Sequence, residues 1–193
     1  CQLSEDLEQA CEVLANWDRK QDLDSSGALV FNRFWESARG IRSHFAVPFD
    51  VNDPVHTPRG LTIDEGATRE FITENLKQAV ASIEEAGLAL DAKWGDVQYA
   101  ERNGDKIGIP GGSGGAGLFS VITSRFDADK GGYNPISHGN SYIQAVTWDE
   151  DGIPEAKAIL TYSQSPEPDS EFYSDMTKLY SQSQWVDLPF TDE

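Results

Sequence analysis

An α+β fold is expected from three features of the 193-residue sequence. Apolar residues recur at helical spacing through residues 1–92, the period changes to two after Trp94, and turn residues separate the short runs that follow. Strands come after helices instead of alternating with them. The expected layout is therefore a mainly helical segment, 1–92, followed by an antiparallel β-rich segment with a closing helix, 93–193.

Residues 3–15 carry Leu3, Leu7, Cys11 and Leu14 at helical spacing, with Ser4 placed to cap and Glu5 and Asp6 at the positive dipole end. Residues 26–38 form a second stripe through Leu29, Val30, Phe34 and Ala38, with Ser25 or Ser26 as the expected cap. Pro48, Pro54 and Pro58 make 40–61 irregular. A long helix is expected from about Ile63 to Ala86. Thr62-Ile63-Asp64-Glu65 fits a capping box there, Ile63, Ala67, Phe71, Leu76, Ala79 and Ile83 form the apolar face, and Gly87 fits the terminator.

In the second half, Val97–Gly108 reads as strand, Asn103-Gly104 turn, strand. Ser141–Trp148 and Ala156–Tyr162 form a second pair around Asp149-Glu150-Asp151-Gly152, and Ser170–Ser181 a final helix. Tyr142, Ile143, Ala145 and Val146 make one strand apolar on both faces. A sheet of about four such strands calls for cover from something larger. The start at Cys1 and the helix-entry pattern at Pro189–Glu193 likewise read as cut points, so a piece of a bigger protein is expected.

Composition narrows the partners. Fifteen Lys and Arg against 33 Asp and Glu leave a net charge of −18, which repels nucleic-acid phosphates and anionic lipid. Apolar residues at 38% and aromatics at 10% argue against a disordered acidic tail, and no apolar run approaches membrane-helix length. Two cysteines are too few for a disulfide framework or a four-ligand zinc site. A Cys1–Cys11 bridge in an oxidising compartment and two buried thiols both stay open.

Several motifs invite sharper readings. Gly112–Gly117 matches G-x-G-x-x-G literally, but Pro110 precedes it, an extended stretch follows and no β-α unit continues, so a tight backbone turn is the better reading. Asp22-Leu23-Asp24-Ser25-Ser26-Gly27 resembles half a calcium loop whose twelfth place holds Arg33, a cation where a carboxylate is needed; a helix-entry turn is preferred. Cys1 as an N-terminal nucleophile would need the head of a buried strand, not an acidic helix. His44 and His56 lie in the proline-rich stretch without a neighbouring nucleophile. His138 precedes a strand and is read as satisfying backbone groups at its entry. The acidic runs at 149–151 and 167–171 read as solvated turns, and no complete catalytic constellation is present.

An ordered set of motifs then carries a resemblance: Trp94-Gly95-Asp96-Val97; Ile107-Gly108-Ile109-Pro110-Gly111-Gly112; His138-Gly139-Asn140-Ser141-Tyr142-Ile143-Gln144-Ala145-Val146; Tyr162-Ser163-Gln164-Ser165; and Phe172-Tyr173-Ser174-Asp175. Upstream, Ala10-Cys11, Trp17-Asp18, Phe34-Trp35 and Asp53-Pro54-Val55 agree. The set is similar to the C-terminal part of the large chain of penicillin acylases, in the acyl-homoserine lactone and aculeacin acylase branch. This resemblance implies part of an αββα N-terminal-nucleophile hydrolase sandwich, made as a precursor, exported to the periplasm or secreted, and self-cleaved. An N-terminal Ser would attack the amide of an N-acyl lactone, penicillin or lipopeptide, with its own α-amine as base.

In that family the nucleophile, the oxyanion Asn and the structural calcium ligands lie upstream of the matched part. The resemblance thus places no catalytic residue, cofactor or metal ligand on this chain, and implies that the segment is inert alone. Its partners are the remainder of the same precursor and a small N-acyl substrate. His138, Asn140, Ser141 and Gln144 are the positions expected to support the site from behind. The competing expectation is a non-enzymatic secreted module that binds a ligand or partner through its Trp and Tyr residues.

Overall fold

The computed structural model describes residues 4–64 and 66–190. The chain forms two compact units, one of Cys1–Lys20 with Ser26–Lys93, the other of Gln21–Ser25 with Trp94–Glu193.

The first unit is helical. A 3-10 turn, Glu5–Leu7, leads into α1 (Glu8–Asn16), followed by α2 (Ala28–Ser37) and α3 (Gly66–Glu85). Leu7, Ala10 and Cys11 of the first stretch are buried, as are Leu29 and Val30 on α2 and Leu76, Ala79 and Ile83 on α3. Each fully buried aliphatic side chain contributes about 1.5–3 kcal/mol. Polar pins join α2 to α3: Arg33 Nε donates to Ser82 Oγ at 3.0 Å and Ser37 Oγ to the Asn75 carbonyl at 3.2 Å.

The starts of the two later helices differ from expectation. Neither Ser25 nor Ser26 caps α2. Gly27 precedes it at φ 104°, and a Cβ there would stand 2.6 Å from Trp17 Cβ. Ser25 Oγ instead accepts from the Asp22 amide at 3.3 Å. Helix α3 begins after Ile63, which is exposed, and Thr62 bonds Thr68 Oγ1 at 2.8 Å; Glu65, the other half of the expected capping box, lies outside the described residues. At the other end Gly87 adopts φ 69°, with Leu88 N donating to Ile83 O and Gly87 N to Glu84 O. That pair of bonds is the Schellman termination expected of this glycine.

The second unit holds α4 (Trp94–Val97), β1 (Tyr99–Arg102), β2 (Asp105–Gly108), β3 (Ile122–Asp127), β4 (Gly132–Gly139), β5 (Tyr142–Trp148), β6 (Pro154–Leu160), α5 (Asp175–Ser181) and β7 (Val186–Leu188). All pairings are antiparallel: β1 with β2, β3 with β4, and β5-β6-β7 in a three-stranded sheet. The mixed α+β class is as expected. The single sheet of about four strands is replaced by three small ones. The hairpin missing from the sequence reading, β3–β4, carries Pro135 in β4, a residue that ordinarily argues against a strand. Register shifts between Thr123 and Ser124 and between Ser124 and Phe126 place the proline, which has no N–H, at an irregularity of the ladder.

The core of this unit gathers Ile107, Ile109, Ile122, Ile159 and Tyr180, with Ile143, Met176 and Leu179 packed against it. Residues 21–25 run along the unit as a strap. Gly95 N donates to Leu23 O at 2.9 Å, Trp94 N to Ser25 O at 3.0 Å, and Gly111 N to Gln21 O at 2.9 Å.

Candidate functional site

The four positions singled out by resemblance fall on two neighbouring elements of the second unit. His138 lies within β4, opposite Thr123, so it is part of a strand and not the entry to one. Its ring is exposed. Asn140 and Ser141 form the junction between β4 and β5. The Asn140 amide donates to Val121 O at 3.0 Å and its Nδ2 to Phe119 O at 3.2 Å. From the other side the buried Thr161 hydroxyl donates to the Asn140 carbonyl, and Thr161 N donates to Ser141 O at 3.3 Å. Gly139 is held as tightly, because a Cβ there would lie 2.8 Å from Val121 O and 2.9 Å from the Tyr162 hydroxyl.

Gln144 belongs elsewhere. It stands opposite Ala158 on β6, on the face shared by Tyr142, Leu160, Val146, Ala156, Trp148 and Pro154. Thus the fold brings Asn140 and Ser141 together at Thr161, while the His138 and Gln144 side chains make no hydrogen bond among the described residues.

Tyr142, Val146 and Trp148 on that face are 52%, 44% and 64% exposed, while Ala156 and Ala158 between them are buried. The opposite face is polar toward its far end, where Lys157 meets Asp187 at 3.4 Å. β5 also forms an edge of its sheet, with no strand beside it on one side among the described residues. Apolar side chains and a strand edge thus adjoin on this side of the sheet.

The other residues weighed for chemistry resolve into structure. His44 Nδ1 meets Thr68 Oγ1 at 2.9 Å and its ring stacks on Phe71 at 4.3 Å. Thr68 is 1% exposed, so its hydroxyl cannot meet a substrate and the pair fastens the start of α3. Spacing concealed it, since 24 residues separate the partners. His56 pairs with Asp53 at 2.7 Å on the surface. The glycine-rich segment is a turn: Ile122 N donates to Gly112 O at 2.8 Å, a 3-10 turn covers Gly114–Ala116, and strand β3 follows, with no helix to present a phosphate site. No group of three or more His, Cys, Asp or Glu converges among the described residues, Asp22 and Asp24 included. Cys11 is buried; Cys1, and with it the proposed bridge, lies outside the described residues.

Two tyrosines shape the local electrostatics. Burial pushes the Tyr180 hydroxyl up from its ordinary value, opposed by its hydrogen bond with Ser120. Burial also raises Tyr162, reinforced by Tyr180 and opposed by Arg102. The Tyr162 hydroxyl is sealed from solvent with no partner among the described residues.

These features define a mixed α+β protein with a clamped strand junction and one apolar sheet face. The chain belongs to the penicillin amidase family, whose model matches residues 2–193. It is 37% identical over 188 residues to the acyl-homoserine lactone acylase PvdQ of Pseudomonas savastanoi pv. phaseolicola, covering 97% of this chain and 24% of that protein. The aculeacin-A acylase of Actinoplanes utahensis is likewise 37% identical over 188 residues, covering 97% of this chain and 22% of its own. The chain therefore spans about a quarter of the length of these relatives.

Proposed function

We propose that this chain is the C-terminal segment of the large chain of an amide-hydrolysing acylase, and that it works by covering and bracing a catalytic centre formed upstream. The observation that carries this reading is the apolar face of Tyr142, Val146 and Trp148 beside the open β5 edge. Burying such a face stabilises by about 25 cal/mol for each Å² of apolar surface removed from water, and the edge supplies backbone groups for strand addition. The occupant of that face is the remainder of the same precursor.

The nucleophile is an upstream N-terminal Ser whose α-amine accepts its proton, and the substrate is an N-acylated lactone or lipopeptide. Asn140 and Ser141, locked by Thr161, hold the β4–β5 junction in place, and His138 and Gln144 face the upstream part. The mature protein is periplasmic or secreted. Hydrolysis of an N-acyl-homoserine lactone, followed by release of the free amine, tests the reading. Turnover is expected from the full gene product that carries this chain and not from the 193-residue chain alone. Turnover by the isolated chain, or none by a correctly processed full product, overturns it.

A further inference from the structure

The first unit contains a cavity of about 450 Å³ lined by Trp35, Ile41, Arg42, Phe45, Phe49 and Pro58. Its volume lies in the range of small-molecule sites, which pair an apolar lining with a few convergent polar groups. Five of the six lining residues are apolar. The sixth, Arg42, forms no ion pair among the described residues, although acids outnumber bases 33 to 15 in this chain. The acids nearest in sequence are already occupied, beginning with Glu36, which pairs with Arg33 at 2.5 Å. Asp50 Oδ1 accepts from Asn52 N at 2.8 Å, and Asp53 Oδ1 meets His56 Nδ1 at 2.7 Å.

A guanidinium with no ion pair among the described residues, beside an aromatic-lined cavity, is complementary to an amphipathic anion. We propose that this cavity is a binding site for an amphipathic carboxylate, a small organic acid whose apolar body lies among Trp35, Phe45 and Phe49 and whose anionic head pairs with Arg42. Arg suits the role because its planar fork can take a carboxylate in two parallel hydrogen bonds and also stack on aromatic rings. The ring-lined walls favour a body that is itself aromatic, through offset or edge-to-face packing. The proposal stands on this cavity alone and is independent of the hydrolase reading.

The test is calorimetric titration of the full gene product carrying this chain with 4-phenylbutyrate, 4-phenylbutanol and 4-phenylbutylamine, which share a body and differ in head group. One-to-one saturable binding of the acid is expected, with the alcohol about tenfold weaker and the amine weaker still. Arg42→Gln, a substitution of an exposed residue, is expected to abolish the preference for the acid. Phe49→Ser, at a side chain 63% exposed, is expected to weaken acid and alcohol together. Equal affinity for the three head groups overturns the proposal, as does an unchanged preference in Arg42→Gln. Absence of saturable binding overturns it too.

Discussion

The Trp94 indole N–H donates to the carbonyl of Gly111 at 2.8 Å, across 17 residues of sequence. Gln98 Nε2 donates to the same carbonyl at 2.8 Å and also to Ile109 O at 2.8 Å. Helix α4 and the residue just after it therefore hold the chain that leaves β2 where it turns into the glycine-rich segment. Gly111 itself sits at φ 91°, with Ser120 O so close that a Cβ would stand 2.4 Å away.

Gly111→Ala is accordingly expected to destabilise strongly, by about 3 kcal/mol or more, since the backbone conformation and the space both exclude a side chain. Gly66→Ala is the matched control. It opens α3 with nothing within 4 Å of an added Cβ, so it should be neutral or stabilising by up to about 1 kcal/mol. Urea unfolding of both variants checks the contrast.

Tyr162 and Tyr180 should respond oppositely to loss of the hydroxyl. Tyr180 Oη donates to Pro110 O at 3.1 Å and also bonds Ser120 Oγ, so Tyr180→Phe is expected to cost about 1–2 kcal/mol. The Tyr162 hydroxyl has no partner among the described residues, and Tyr162→Phe should be neutral or stabilising by about 1 kcal/mol. Equal losses in the two variants would show that Tyr162 is bonded in solution.

The same residues give a pH dependence. Both have folded-state values raised above those of the unfolded chain, mainly by burial. Above about pH 10 the unfolded chain releases these protons while the folded one retains them, so stability that is complete below that pH declines as pH rises through the folded values. Denaturant midpoints measured from pH 8 to 11 should fall, and Tyr162→Phe should make the decline shallower.

Val146→Asp places a charge on the exposed sheet face opposite Ala156. At an exposed position the substitution should change intrinsic stability by no more than about 0.5 kcal/mol. In the full gene product it is expected to impair assembly or processing, because an unpaired charge would be buried on docking. Processing followed by electrophoresis, with lactone hydrolysis measured alongside, reads the effect; wild-type levels of both would exclude this face from the docked surface.

Local chemistry made much of this architecture readable in advance. Gly87 ends α3 as its position required, and Asn103-Gly104 closes the β1–β2 hairpin with both residues at positive φ, 52° and 83°. The pairing of β5 with β6 around the acidic turn, and the presence of apolar residues on both faces of β5, follow from residue order alone. The clamp at Asn140 could not be read this way. Its partners, Phe119, Val121 and Thr161, are some twenty residues away in either direction, and no spacing rule links them.

By itself the sequence determined the helix and hairpin boundaries set by turn residues, the acidic surface and the family. Those depend on nearest neighbours or on the ordered motifs themselves. Only the tertiary structure decided that β3 and β4 pair despite Pro135, that residues 21–25 strap the β-rich unit, and that Val146 and Trp148 share one exposed face. Which strands meet, and which face is left uncovered, depends on closing long loops against distant partners. Its cost and reward are summed over the whole fold rather than carried in any short segment.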